Sequence, residues 1–305
     1  MVRTALSRAR AGGAALHRPQ ARGAALVTAM LVAALAAAVV TTLAASQSLW
    51  LRSVEMRRDQ VQAQAIVLAG LAWARDAVRK KGNADVDHLG EPWALPLPPT
   101  PLDNGVVEGA IVDAQGRLNL NNLADDGALG RATLDRLSRL FAGAGMPEGA
   151  TAALRDSVRG SAARGAGPDG AGAFVRMAEA GAVSGVDPTR LAGLAPLLTA
   201  LPGTTRVNVN TAPPAVLALL ASGLAGESLA ALVAERARKP FGSIGEFRSR
   251  LPSDASAPDD ALLAVRSEYF LVTVRARQGE AIAHGRALLR RQSQGAPRVI
   301  WQTIE

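Results

Sequence analysis

The chain has no cysteine and only three histidines, His17, His88 and His284. The first absence excludes disulfides and thiolate chemistry; it is compatible with an oxidising compartment without identifying one. The histidines stand apart from any carboxylate pattern such as H-E-x-x-H, and neither a P-loop nor a G-x-S-x-G elbow occurs, so the motifs carry no enzyme signature. Gly165-Ala166-Gly167-Pro168-Asp169-Gly170 matches G-x-G-x-x-G as a string only. It follows no strand pattern and puts proline where a helix should begin.

Acid is missing from the N-terminus as well. Arg3, Arg8, Arg10, Arg18 and Arg22 precede Gly23 with no Asp or Glu among them, and no charge follows until Arg52. Between Ala24 and Ala45 only Thr28, Thr41 and Thr42 are polar, and as a helix this run covers roughly 33 Å, enough for the hydrocarbon layer of a bilayer. The arginine asymmetry holds the N-terminus in the cytoplasm and puts the remainder outside. Ala44-Ala45-Ser46 would be the cleavage site of an ordinary secretory signal. Against that reading, the run is longer than a secretory core, and no Gly or Pro occurs from Ala24 to Ala69. Trp50, Val54, Val61, Ala65, Leu68 and Ala72 recur at helical spacings and extend one long helix to about Gly82.

The remainder is ample for one large or two small domains: the chain has 305 residues, 49% of them apolar and 20% charged. A formal charge of +8 would suit nucleic acid or anionic lipid. The five leader arginines account for five of those charges, however, and the remaining excess is concentrated at Arg275, Arg277, Arg286, Arg290, Arg291 and Arg298.

Composition divides the chain into a basic leader (1–23), the membrane part of the helix (24–48), its continuation (49–82), a connector with first strands (83–124), an inserted helical domain (125–205), a second helical segment (206–263) and closing strands (264–305). Pro96 to Pro101 reads as an extended crossover. Val106–Asp113 and Gly116–Asn121 read as a hairpin about Ala114-Gln115-Gly116. Leu134, Leu137, Leu140 and Phe141 fit one helix, and Leu191, Leu194, Leu197 and Leu198 another. Arg206-Val207-Asn208-Val209-Asn210 alternates, and Thr211 is placed to cap a helix carrying proline in its first turn. Strands at both ends flank a helical middle, so the fold class is α+β. The pair Asp125-Asp126 reads either as a hard-cation ligand or as a solvated turn at a helix start.

The segment Val207–Phe247 resembles helix-hairpin-helix modules, which hold DNA phosphate on backbone N–H groups at a glycine-rich turn. Here that turn is Ser222-Gly223-Leu224-Ala225-Gly226-Glu227. It lacks the tight glycine-apolar-glycine form and sets Glu227 where phosphate should approach. A packing helix pair is favoured, with no nucleic-acid partner; a membrane-anchored DNA-uptake receptor is the alternative.

Taken together, Arg22-Gly23 with its apolar helix, Asp113 to Leu123, Leu194-Ala195-Pro196 to Leu201-Pro202-Gly203, Val207 to Pro213, and Arg266-Ser267-Glu268-Tyr269-Phe270 resemble the minor pseudopilin K family of type II secretion systems. The resemblance covers nearly everything after the leader. It implies a long N-terminal transmembrane helix running into a pseudopilin α/β sheet domain interrupted by an all-helical, SAM-like or helix-hairpin-helix-like insertion. It also implies prepilin-peptidase cleavage between Gly23 and Ala24, N-methylation of Ala24, and a single-pass inner-membrane protein with a periplasmic C-terminal domain. The partners implied are other minor pseudopilins at a pseudopilus tip, the inner-membrane platform and the outer-membrane channel, with export of folded proteins as the task. Position five of the mature helix is Thr28, where most pilin-like subunits carry a Glu that pairs with a neighbour's terminal ammonium; a first-entering tip subunit does not need it. The acid-rich stretch usual in the family is replaced by Leu154 to Ser161, so the resemblance leaves any metal ligands there unassigned. No cofactor is expected, and calcium stays open.

Overall fold

The computed structural model describes residues 20–79, 85–163 and 174–305. The leader arginines Arg3 to Arg18 and the string Gly165–Gly170 lie outside the described residues. Two compact units divide the chain between Arg58 and Asp59.

Within the first unit the described chain is helical throughout, as part of α1 (Gln20–Arg79). Leu26, Leu31, Leu35 and Leu43 are all more than half exposed, so this stretch offers its apolar side chains on every side, as a lipid-facing span does. Its few hydroxyls are satisfied internally: Thr41 Oγ1 donates to Ala37 O at 2.9 Å and Thr42 Oγ1 to Ala38 O at 3.0 Å. The alternative cleavage segment at Ala44-Ala45-Ser46 lies inside the helix, with Ser46 Oγ donating to Leu43 O at 2.8 Å.

In the second unit, the later part of α1 is followed by β1 (Leu97–Leu102), β2 (Gly105–Asp113) and β3 (Leu118–Asn119). Four helices follow: α2 (Ala128–Gly143), α3 (Ala150–Ala163), α4 (Met177–Gly181) and α5 (Pro188–Gly193). Next come β4 (Leu198–Thr199) and β5 (Val207–Asn208), then α6 (Pro214–Leu220), α7 (Gly226–Arg238) and α8 (Ile244–Ser249). The chain closes with β6 (Leu263–Ala264), β7 (Tyr269–Gln278), β8 (Ala281–Arg290) and β9 (Arg298–Ile304).

The main sheet has order β1-β2-β7-β8-β9, every pair antiparallel. The proline-rich stretch is therefore an edge strand, the position where missing N–H groups cost no ladder bonds. One sheet face packs on α1 through Ala63, Val67, Leu71, Ala74 and Val78 against Val107, Ile111, Val272, Val274 and Ala283. This apolar stripe is not the one that announces the helix in the sequence: Val61, Ala65, Leu68 and Ala72 lie on the outside.

The expected hairpin of 106–113 with 116–121 does not form. Asp113 Oδ1 accepts from Gln115 N at 2.8 Å, a side-chain turn that redirects the chain away from the sheet. β3 instead pairs in parallel with β4, through Leu118 with Leu198 and Asn119 with Thr199. Leu118 to Asn121 are buried on both faces, so their alternation marks apolar side chains interleaved with hydrogen-bonded asparagines, not one wet face. The second expected leucine helix is also shorter: α5 carries Leu191, whereas Leu198 lies in β4.

The helical body repeats one local pattern of bonds in two halves. Arg117-Leu118-Asn119-Leu120-Asn121 and Arg206-Val207-Asn208-Val209-Asn210 each begin with a short strand in parallel pairing, the second with β6 through Val207 with Leu263. In each, the first Asn accepts from the second one's backbone, Asn121 N to Asn119 Oδ1 at 3.1 Å and Asn210 N to Asn208 Oδ1 at 3.0 Å. The second Asn then grips a distant phenylalanine backbone from both sides. Asn121 Nδ2 donates to Phe174 O at 2.6 Å and accepts from Phe174 N at 3.2 Å; Asn210 does the same with Phe241, at 2.9 and 2.8 Å. Five residues after each phenylalanine a glutamate folds back: Val175 N donates to Glu179 Oε2 and Gly242 N to Glu246 Oε2, both at 2.7 Å. Both halves share one hydrophobic core, running from Leu118 and Leu137 through Val216 and Phe247 to Leu263. The compositional boundaries near 125 and between 205 and 206 thus become, in packing, a helical body that begins at Leu118 and ends at Leu263.

Candidate functional site

At the head of α1, Gly23 and Ala24 are helical and exposed. Thr28 stands one turn on, with Oγ1 donating to Ala24 O at 3.1 Å and to Ala25 O at 3.0 Å. A carboxylate at this place would need a cation inside the bilayer, whereas the threonine hydroxyl finds its acceptors in its own helix.

The junction of sheet and helical body is a buried polar hub that sequence reading did not find. Asp113 ends β2 and is 3% exposed. Its Oδ2 accepts from Ser267 Oγ at 2.5 Å, Thr211 Oγ1 at 2.6 Å and Asn208 Nδ2 at 3.0 Å. Burial pushes its pKa up to about 6, while bonds from Ser267, Thr211 and the Gln115 N–H pull it down. Thr211 therefore serves this carboxylate and does not cap α6, whose N-cap is Pro213. Beside it, Arg291 Nη1 donates to Asp87 Oδ1 at 2.6 Å, and its guanidinium lies 4.4 Å from the centre of the Phe270 ring. Ser267 N donates to Asp87 Oδ2 at 2.8 Å, closing the hub. Ser267 is 1% exposed and Asp87 fully buried, so these groups position chain segments. The one clue available in the sequence was the twin asparagine string, whose polar residues had to be buried and bonded.

The helix-hairpin-helix segment is built for packing. Arg236 is buried in α7 and donates through Nη1 to Val209 O at 2.9 Å and Ala212 O at 2.6 Å, bracing the loop ahead of α6. Gly223 has φ +87°, and a Cβ there would stand 2.9 Å from Asp254 O, so the turn lies against the segment after α8. Glu227 and Asp254 are both exposed beside that turn, the wrong sign for phosphate. Asp125 and Asp126 are also committed: Gly130 N donates to Asp125 Oδ2 at 2.9 Å, and Asp126 pairs with Arg159 of α3. In the stretch 154–161, Asp156 is the single carboxylate, 4.0 Å from Arg155. No group of three or more His, Asp or Glu side chains suited to a metal occurs among the described residues. His88 Nδ1 accepts from Gly90 N at 3.1 Å, and His284 is exposed on β8.

A long N-terminal helix whose first part is apolar and long enough to cross a membrane and whose later part packs on an antiparallel sheet, with a helical body inserted between the strands, defines a subunit of the pilin-like class. The family model described as type II secretion system protein K matches residues 207–266. A protein of that name from Pseudomonas aeruginosa PAO1 is 30% identical, over 85% of this chain and 85% of its own. Another from Pectobacterium carotovorum is 29% identical over 89% of this chain and 93% of its own. A chain in the crystal structure of the GspK-GspI-GspJ complex from enterotoxigenic Escherichia coli shares the fold, with TM-score 0.62 and 20% identity over 83% of this chain and 99% of that one. The chain belongs to the type II secretion system protein K family, the minor pseudopilins that its sequence resembles.

Proposed function

We propose that this chain enters first at the tip of a periplasmic pseudopilus and joins the other minor pseudopilins there through the outer face of α1. It is a single-pass inner-membrane protein with a cytoplasmic N-terminus, cut by prepilin peptidase between Gly23 and Ala24, methylated at Ala24, and handed by the inner-membrane platform toward the outer-membrane channel. The observation that carries this reading is the second apolar stripe. Val61 is 66% and Leu68 48% exposed although the opposite stripe, Ala63, Val67 and Leu71, is already buried on the sheet. Exposed apolar side chains in register along a helix suit a partner helix. That the E. coli neighbour was solved with GspI and GspJ supports the same reading.

The test is Leu68→Glu in the full-length chain, co-expressed with the minor pseudopilins of the same operon. Co-purification from membranes should fall sharply while stability changes by no more than about 0.5 kcal/mol, as for an exposed position. Undiminished co-purification, or self-polymerisation of the chain without partners, would refute it.

A further inference from the structure

A cleft of about 870 Å³ opens between three segments: 202–206, joining the two halves of the helical body; 266–269, entering β7; and 290–298, joining β8 to β9. Arg206, Arg266, Arg290 and Arg298 line it, and Glu268 is the single acid among its lining residues. Arg291 is turned inward to Asp87, and Arg290 is shared with Glu268 at 3.3 Å and the Tyr269 ring. Arg206 and Arg266 are exposed, and their guanidinium groups have no hydrogen-bond or ion-pair partner among the described residues. Arg139, Arg159, Arg190 and Arg248, by contrast, each hold a nearby carboxylate.

The walls are held by buried side chains. Asn119 Nδ2 donates to Gly203 O at 3.0 Å, and Asn122 clasps Thr205 from both sides at 2.8 Å. Gln115 links two walls, accepting from Glu268 N at 2.6 Å and donating to Arg206 O at 3.2 Å. Tyr269 forms part of the floor, its hydroxyl donating to Pro202 O at 2.9 Å. Walls whose backbone is fixed before binding spare a ligand the cost of ordering the segments that carry the two arginines.

We propose that this cleft binds an acidic, extended peptide segment of a partner protein, with carboxylates meeting Arg206 and Arg266. Guanidinium forks match carboxylates in two-bond geometry, and the two free arginines stand on different walls, which a chain with successive acids can reach together. The site is separate from the outer stripe of α1, so its failure would leave the assembly reading intact.

The test is fluorescence anisotropy of a labelled hexaglutamate peptide against the full-length protein in non-ionic micelles. Single-stranded oligothymidylate and phosphatidylglycerol vesicles serve as competitors. The double variant Arg206→Gln/Arg266→Gln should bind about tenfold more weakly, with an unchanged unfolding midpoint, and Arg277→Gln, exposed elsewhere on β7, should bind as the wild type does. The same peptide should displace itself better than either competitor, and added salt should weaken it. No binding by the wild type, unaltered binding by the double variant, or stronger competition by the oligonucleotide or the vesicles would overturn the proposal.

Discussion

Val67 of α1 occupies the space directly over Gly285 of β8, where a Cβ would collide with Val67 Cγ1. Gly70 meets the neighbouring strand in the same way, its virtual Cβ 2.8 Å from Val274 Cγ1. Helix and sheet approach this closely because glycine stands at both crossings.

Gly285→Ala should therefore destabilise the protein by about 1–3 kcal/mol through overpacking. Val67→Ala in the same chain should restore part of the loss, although Val67→Ala alone opens a cavity and also destabilises. Urea unfolding of the four members of this cycle checks it; simple additivity would show that the two positions do not meet.

Asn121 and Asn210 hold Phe174 and Phe241 by the same pair of bonds, so removing either amide strands a buried N–H and a buried C=O. Asn121→Ala and Asn210→Ala should each cost about 2–4 kcal/mol, measured by chemical denaturation. A loss confined to one of them would break the functional equivalence of the two halves.

Asp113 has a folded pKa raised from the ordinary 3.8 to about 6 by burial. The folded state thus holds the proton more tightly than the unfolded chain. The resulting stabilisation is complete below about pH 4 and is lost as pH rises through about 6, a change of about 3 kcal/mol for this group. Asp113→Asn should flatten that window. It should also cost about 1–3 kcal/mol at low pH, because an amide NH2 would face the Gln115 N–H in place of an accepting oxygen. Unfolding midpoints from pH 4 to 7.5 test both statements.

Processing should leave a mature chain beginning at N-methylated Ala24, read by mass spectrometry of protein extracted from membranes. Gly23→Leu should retain the leader. A start near Ser46 or Gln47 would instead establish an ordinary secretory signal.

The sequence by itself determined the membrane helix, because lipid demands a long uninterrupted apolar run and basic residues at one end. It also determined the closing strands, since β7, β8 and β9 fall, to within a few residues at their ends, where Glu268–Arg277, Ala281–Arg291 and Arg298–Trp301 read as extended. Only the tertiary structure decided which stripe of α1 meets the sheet, because Val61, Ala65, Leu68 and Ala72 are as apolar and as well spaced as the stripe that is buried. Only it decided that Leu118–Asn121 leaves the sheet for β4, and that Thr211 turns from its helix to Asp113. Periodicity reports that a residue is to be covered. What covers it depends on partners far along the chain, as Asp113 with Ser267 and Asn121 with Phe174 show, and such pairings are settled by packing and by the need of buried polar groups for a bond.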